Sequence, residues 1–215
     1  MGIKEQVALV KESMTKYPNV KMVAAAKYVG VEQTKELIEA GITELGENRA
    51  DSLLEKYEAL KEFPISWHFF GTLQTRKVRD VVNKIDYLHS LDSLSLATEI
   101  NKRSTKPLKC FVQVNVSEEL NKSGLDLNKV KTFIKSLDKY PNIVVVGLMT
   151  IAKLTYDKEL LAGYFKQMKK LQNEIIDLNL SYAPCTELSM GMSNDYLIAL
   201  ENGSTLVRLG RILLK

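Results

Sequence analysis

Hydrophobic positions along the chain fall into two alternating patterns. Short, nearly continuous apolar runs recur at 20–27, 44–46, 66–70, 87–90, 109–116, 143–150, 187–190 and 205–209. Several are rich in Val, Ile and Phe without polar alternation, as strands covered on both faces should be. Between them lie longer stretches with helical spacing, at 31–41, 50–63, 76–84, 94–103, 128–139, 158–179 and 195–202. Val31, Leu37 and Ile38 share one stripe, and Gly41 stands where that helix should stop. Leu53, Leu54, Tyr57 and Leu60 form another. Segment 3–16 reads as an amphipathic helix with Val7, Val10 and Met14 on one side. No helix-length stretch follows the last strand, so the opening helix is expected to fill that gap in the outer layer.

Strands alternating with helices predict right-handed βαβ units and a parallel sheet. Eight such units predict an α/β fold, a single closed (β/α)8 TIM barrel, as one domain over residues 1–215. The competing doubly wound sheet normally uses five or six strands, and its GxGxxG turn is missing after the first strand.

Composition narrows the class. The chain has 215 residues, 45% hydrophobic and 26% charged, within the range of one globular domain. Thirty Lys and Arg against 26 Asp and Glu leave a net charge of only +4. The cations (Lys61, Arg79, Lys102, Lys139, Lys169) are scattered rather than massed, so no nucleic-acid partner is expected. No apolar run is long enough to cross a bilayer, the N-terminus shows no export signal, and Gln6 stands where a myristoylation motif wants Ser or Thr. Cys110 within a strand and Cys185 in a loop suggest no disulfide framework. A soluble cytoplasmic protein without a membrane partner is the expectation.

A barrel of this kind places its working residues at the C-terminal ends of its strands. Lys27 closes the first strand after Met22-Val23-Ala24-Ala25-Ala26, and an amine sheathed by apolar neighbours is a nucleophile toward aldehydes. The loops after strands seven and eight commonly build a phosphate site. Here Ser193 precedes a helix and Gly210 follows the last strand, with the backbone amide of Arg211 beside it. The two histidines, His68 and His89, have no ligand partner at metal-binding spacing, and a structural hydrogen-bonding role is expected with no metal. A barrel enzyme acting on a small phosphorylated metabolite would use the same lysine and loops.

Eight motifs together resemble the pyridoxal phosphate homeostasis protein family, related to the N-terminal barrel of alanine racemase. They are AAAKY around Lys27, GENR at 46–49, WHFFGTLQTRK at 67–77, HSLD at 89–92, VNVS…NKSG across 114–124, GLMTIA at 147–152, LSMGMSND at 188–195 and GSTLVRLG at 203–210. The resemblance implies pyridoxal 5′-phosphate (PLP) as cofactor, held as a Schiff base on Lys27. It implies that Arg208 faces the pyridine nitrogen, and that Ser193 with the backbone of Gly210 and Arg211 forms the phosphate cup. Asn48, His68, Met149 and Ser189 fall in motifs that line the family's pocket. Arg211 departs from the pattern, because the family commonly has a small hydroxyl residue after RLG.

The resemblance further implies a protein that buffers or delivers PLP in vitamin B6 homeostasis without established turnover, with PLP-dependent apoenzymes as candidate recipients; a site without a covering domain would allow a monomer or weak dimer. The alternative is an amino-acid racemase of the alanine racemase type. Racemisation needs a base on each face of the α-carbon, and this sequence shows no C-terminal β domain to supply the second. Lys122, in the loop after strand five, is a candidate second aldehyde-reactive lysine.

Overall fold

The computed structural model describes residues 2–119 and 123–214. Eight parallel strands close into a barrel: β1 Lys21–Ala25, β2 Glu44–Glu47, β3 Ser66–Phe69, β4 Tyr87–Leu91, β5 Leu108–Val114, β6 Ile143–Thr150, β7 Glu187–Ser189 and β8 Leu206–Leu209. Closure is made by β8 on β1, with Val23 opposite Arg208 and Ala24 opposite Leu209. Every expected strand is present. Because strand side chains alternate, one face of each strand fills the barrel and the other meets the helices.

The helices are α1 Ile3–Ser13, α2 Val31–Glu39, α3 Ala50–Leu60, α4 Val78–Val81, α5 Leu94–Arg103, α6 Leu127–Lys135, α7 Lys158–Ile176 and α8 Tyr196–Glu201. Val7, Val10 and Met14 are buried as their spacing implies. α1 packs against α2 and the final turn Arg211–Leu213, and the Ser13 hydroxyl meets the Tyr196 hydroxyl of α8 at 2.9 Å. It therefore occupies the gap left after β8. Gly41 takes φ 82° just past α2, the left-handed conformation that suits glycine beyond a helix end.

Two departures matter. The helix expected over 76–84 contracts to a 3-10 turn, Thr75–Lys77, and the four residues of α4. Val78, Val81 and Val82 are β-branched and fully buried, so packing rather than helix propensity decides that segment. On α3 the buried stripe is Leu53, Lys56 and Leu60, with a lysine where an apolar residue would be usual.

The core has two parts. A large shell joins strands to helices, and a small cluster of Val23, Tyr87, Phe111, Val146, Met149 and Leu206 sits apart from it. The register places that cluster on the faces shared with Arg208, His68 and His89, inside the barrel. The barrel interior is thus half apolar and half polar.

Candidate functional site

A cavity of about 690 Å³ opens at the C-terminal ends of the strands, within the size range of small-molecule sites. Of the expected site residues, Lys27, Asn48, Ser193, Arg208, Gly210 and Arg211 line it. His68, Met149 and Ser189 do not; all three are fully buried in the barrel beneath it. Lys122 lies outside the described residues.

Lys27 sits differently from its expectation. β1 stops at Ala25, and Lys27 is the middle residue of a 3-10 turn, Ala26–Tyr28, closed by the Val29 amide donating to the Ala26 carbonyl at 3.2 Å. The alanines before it are buried, but Lys27 itself is exposed, with its ammonium 4.8 Å from the centre of the Tyr28 ring. The apolar sheath read from the preceding run belongs to the strand and not to the lysine.

On the other side, the Ser193 hydroxyl oxygen accepts from the amides of Gly210 and Ile212, each at 3.4 Å. Among the described residues, the amides of Ser193, Asn194 and Arg211 have no protein acceptor. An oxygen atom is thus already seated between two converging N–H groups, with three more unspent nearby, which is a backbone cradle for an anion. A Cβ at Gly210 would press on Ala25 Cβ and Tyr28 at 3.3 Å, so the glycine lets the loop close onto the Lys27 turn. Four cations (Lys27, Lys153, Arg208, Arg211) face one carboxylate, Asp195, among the described lining residues. That balance favours an anionic ligand.

Arg208 forms part of the cavity wall and is buried. One terminal nitrogen, Nη1, donates to the Ser189 carbonyl at 2.8 Å and hydroxyl at 2.5 Å, and Nη2 donates to the Thr150 carbonyl at 2.8 Å. Burial pulls its pKa down to about 10, partly opposed by the Asp195 charge.

Behind Arg208 the barrel interior holds a hydrogen-bonded chain. Ser189 Oγ lies 2.9 Å from His89 Nδ1, His89 Nε2 lies 2.8 Å from His68 Nδ1, and His68 Nε2 lies 2.6 Å from Glu44 Oε2. Its carboxylate end fixes its direction. A carboxylate only accepts, so with both imidazoles neutral each carries its hydrogen on Nε2, and Ser189, which accepts from Arg208, donates to His89 Nδ1. Burial holds both histidines below their usual 6.5; at His89 the proximity of His68 and the Arg208 charge deepen the effect, and at His68 the hydrogen bond to Glu44 opposes it. The 2.6 Å contact is therefore a neutral N–H on a carboxylate rather than an ion pair. Burial alone would push Glu44 up, but its contacts with His68, a hydrogen bond from Ser66 and the Lys21 charge together outweigh that and hold it below 4.5.

The sequence spacing offered the histidines no partners because the four members of this chain come from four strands, β2, β3, β4 and β7. Glu44 was missed altogether; the available signal was its placement two residues before Gly46, on the same strand face. The cysteines are both buried, and Cys185 takes φ 50° with its thiol pushed up to about 12 by burial, which leaves it little thiolate.

A closed parallel barrel with a lysine on the turn after β1 and an anion cradle at β7 and β8 defines a (β/α)8 protein of the alanine racemase barrel class. The model of the alanine racemase N-terminal domain matches residues 2–215. Within that class the chain belongs to the pyridoxal phosphate homeostasis protein family. The relative from Aquifex aeolicus is 38% identical over 197 residues, covering 90% of this chain and 85% of the relative. That from Synechocystis sp. is 36% identical over 204 residues, covering 91% of each. PipY of Synechococcus elongatus, whose structure was solved with PLP bound, superposes with a TM-score of 0.90 at 28% identity, covering 99% of this chain and 100% of its own. Alanine racemase of Corynebacterium glutamicum shares the fold at 14% identity and a TM-score of 0.78, and the chain spans 60% of its length.

Proposed function

We propose that the chain binds PLP in the 690 Å³ cavity, anchored on Lys27, and buffers or delivers it in vitamin B6 homeostasis without catalytic turnover. The observation that carries this is the meeting of an exposed amine, an anion cradle and a buried arginine in one cavity. Bound PLP supplies an aldehyde that condenses reversibly with a lysine amine and releases water. Lys27 supplies that amine. Ser193 and the free amides of the β7 and β8 loops take the phosphate, with the Arg211 backbone among them and its guanidinium at the rim. Arg208, pinned by Ser189 and Thr150, can face a ring nitrogen only as a donor. A ring nitrogen set there stays unprotonated, which weakens the electron withdrawal on which PLP catalysis depends. Asn48 borders the cavity beside Lys27; His68, Met149 and Ser189 support its floor.

The rim is open: Tyr28, Ile151 and Leu154 are exposed. An open rim suits exchange with PLP-dependent apoenzymes, the recipients in this reading. It further includes one domain over residues 1–215, a cytoplasmic location, a monomer or weak dimer, and neither nucleic acid nor membrane as partner. Among the described residues no helix is long and apolar enough to cross a membrane.

The test is the visible absorption of the purified chain with PLP added, beside Lys27→Ala. Wild type should show a cofactor band, and borohydride should fix the label on Lys27; the variant should lose both. Transfer to an apoenzyme without racemisation of alanine would separate carrier from racemase. A wild type that stays colourless with excess PLP overturns the reading and favours the enzyme acting on a phosphorylated metabolite.

A further inference from the structure

Lys56, on α3, is 4% exposed and points away from solvent into the junction of β1 and β2. Its ammonium donates to the Ala26 carbonyl at 2.7 Å and forms a salt bridge with Glu47, the last residue of β2. The second Glu47 oxygen accepts from the Asn48 amide at 3.2 Å. One buried pair therefore holds the two segments that bring Lys27 and Asn48 to the cavity. The Ala26 carbonyl is the atom that closes the Lys27 turn, since it also accepts from Val29, and Lys56 takes its other lone pair.

Scaffolding alone would not call for charges here. A buried ion pair costs desolvation, and well-packed apolar residues of similar volume commonly match its stability. What an apolar pair cannot do is aim a carbonyl and an amide, because dispersion contacts are not directional. We propose that Lys56 and Glu47 are positioning residues of the cavity: they fix the Lys27 turn and the Asn48 peptide, and so set the reach of the Lys27 amine toward its aldehyde. The inference rests on the reading of the cavity as a PLP site.

The test is the double variant Glu47→Leu/Lys56→Met, which replaces the pair with apolar side chains, compared with wild type in two ways. In the ligand-free protein, exchange of the Asn48 amide hydrogen should accelerate about tenfold or more, because its acceptor is gone. With PLP and borohydride, labelling of Lys27 should slow by about tenfold at an unchanged melting temperature. Faster exchange with undiminished labelling would overturn the proposal, leaving the pair a structural filler. Unchanged exchange would overturn it as well. If the double variant does not fold, Glu47→Gln keeps an acceptor for Lys56 while weakening the hold on Asn48, and the same two readouts apply. Failure of wild type to take up PLP would fall on the function of the cavity, and amide exchange would then decide the pinning by itself.

Discussion

An oxygen held between two backbone amides is the smallest unit of this cavity with a chemical preference. Ser193 Oγ fills that place, accepting from Gly210 and Ile212. Ser193→Ala removes the hydroxyl that a phosphate oxygen would meet, and a hydrogen bond to a charged group is worth about 1.5–3 kcal/mol. PLP affinity should fall by about tenfold or more, whereas affinity for pyridoxal, which has no phosphate, should stay unchanged. Equal losses for both ligands in an equilibrium titration would remove Ser193 from the phosphate contacts. Ser193 was legible in the sequence because its loop sits in a recurrent position of the fold. Lys27 was legible as an amine at the cavity but not in its exposure. The reverse holds for Lys56, which lies in a helix whose pattern would leave most lysines in solvent. Burial of a lysine is decided by its partners, here a carboxylate and a carbonyl from other elements.

At the level of elements, the cavity depends on loops whose backbone does what few side chains allow. Gly191, after β7, takes φ 96°, and a Cβ there would come within 2.7 Å of the Ala199 Cβ and 3.0 Å of the Tyr196 Cα in α8. Gly191→Ala combines left-handed strain with that clash and should cost about 1–3 kcal/mol, measured by urea unfolding. Because the same loop presents Ser193 and the free amides, PLP binding should weaken with it; full stability would show that the loop moves aside freely. The strands were legible because parallel barrel strands are apolar on both faces. The 76–84 segment was not, since three buried valines suit helix and extended backbone alike until the barrel packs on them.

Across the whole molecule, the chain from Arg208 to Glu44 links the cavity to the opposite mouth of the barrel, where Glu44 and Lys21 line a second hollow. Both histidines are held neutral by burial, with pKa values below 6.5. In the unfolded chain each takes a proton near that value, so below it the unfolded state binds more protons. Stability should be full above about pH 6.5 and decline as pH falls. The loss should be measurable between pH 7 and 5, with His89, held well below 6.5, contributing the larger part. Glu44, held below 4.5, extends the decline at lower pH, and Asp195, raised by burial, acts in the opposite sense there. Urea unfolding at several pH values measures this; equal stability at pH 7 and 5 would mean that the imidazoles protonate in place.

The sequence by itself determined the eight strands, the order of the helices, the substitute role of the first helix and the family. Each of these follows from local periodicity or from short contiguous motifs. Only the tertiary structure decided which polar residues face the cavity and which are sealed beneath it. His68, His89 and Ser189 sit on inward faces, but depth within a barrel depends on strand register and closure, which no local pattern records. The same holds for the pairing of Glu47 with Lys56 and of Glu44 with His68. Buried charges find partners by proximity in space, and closure of the barrel creates that proximity.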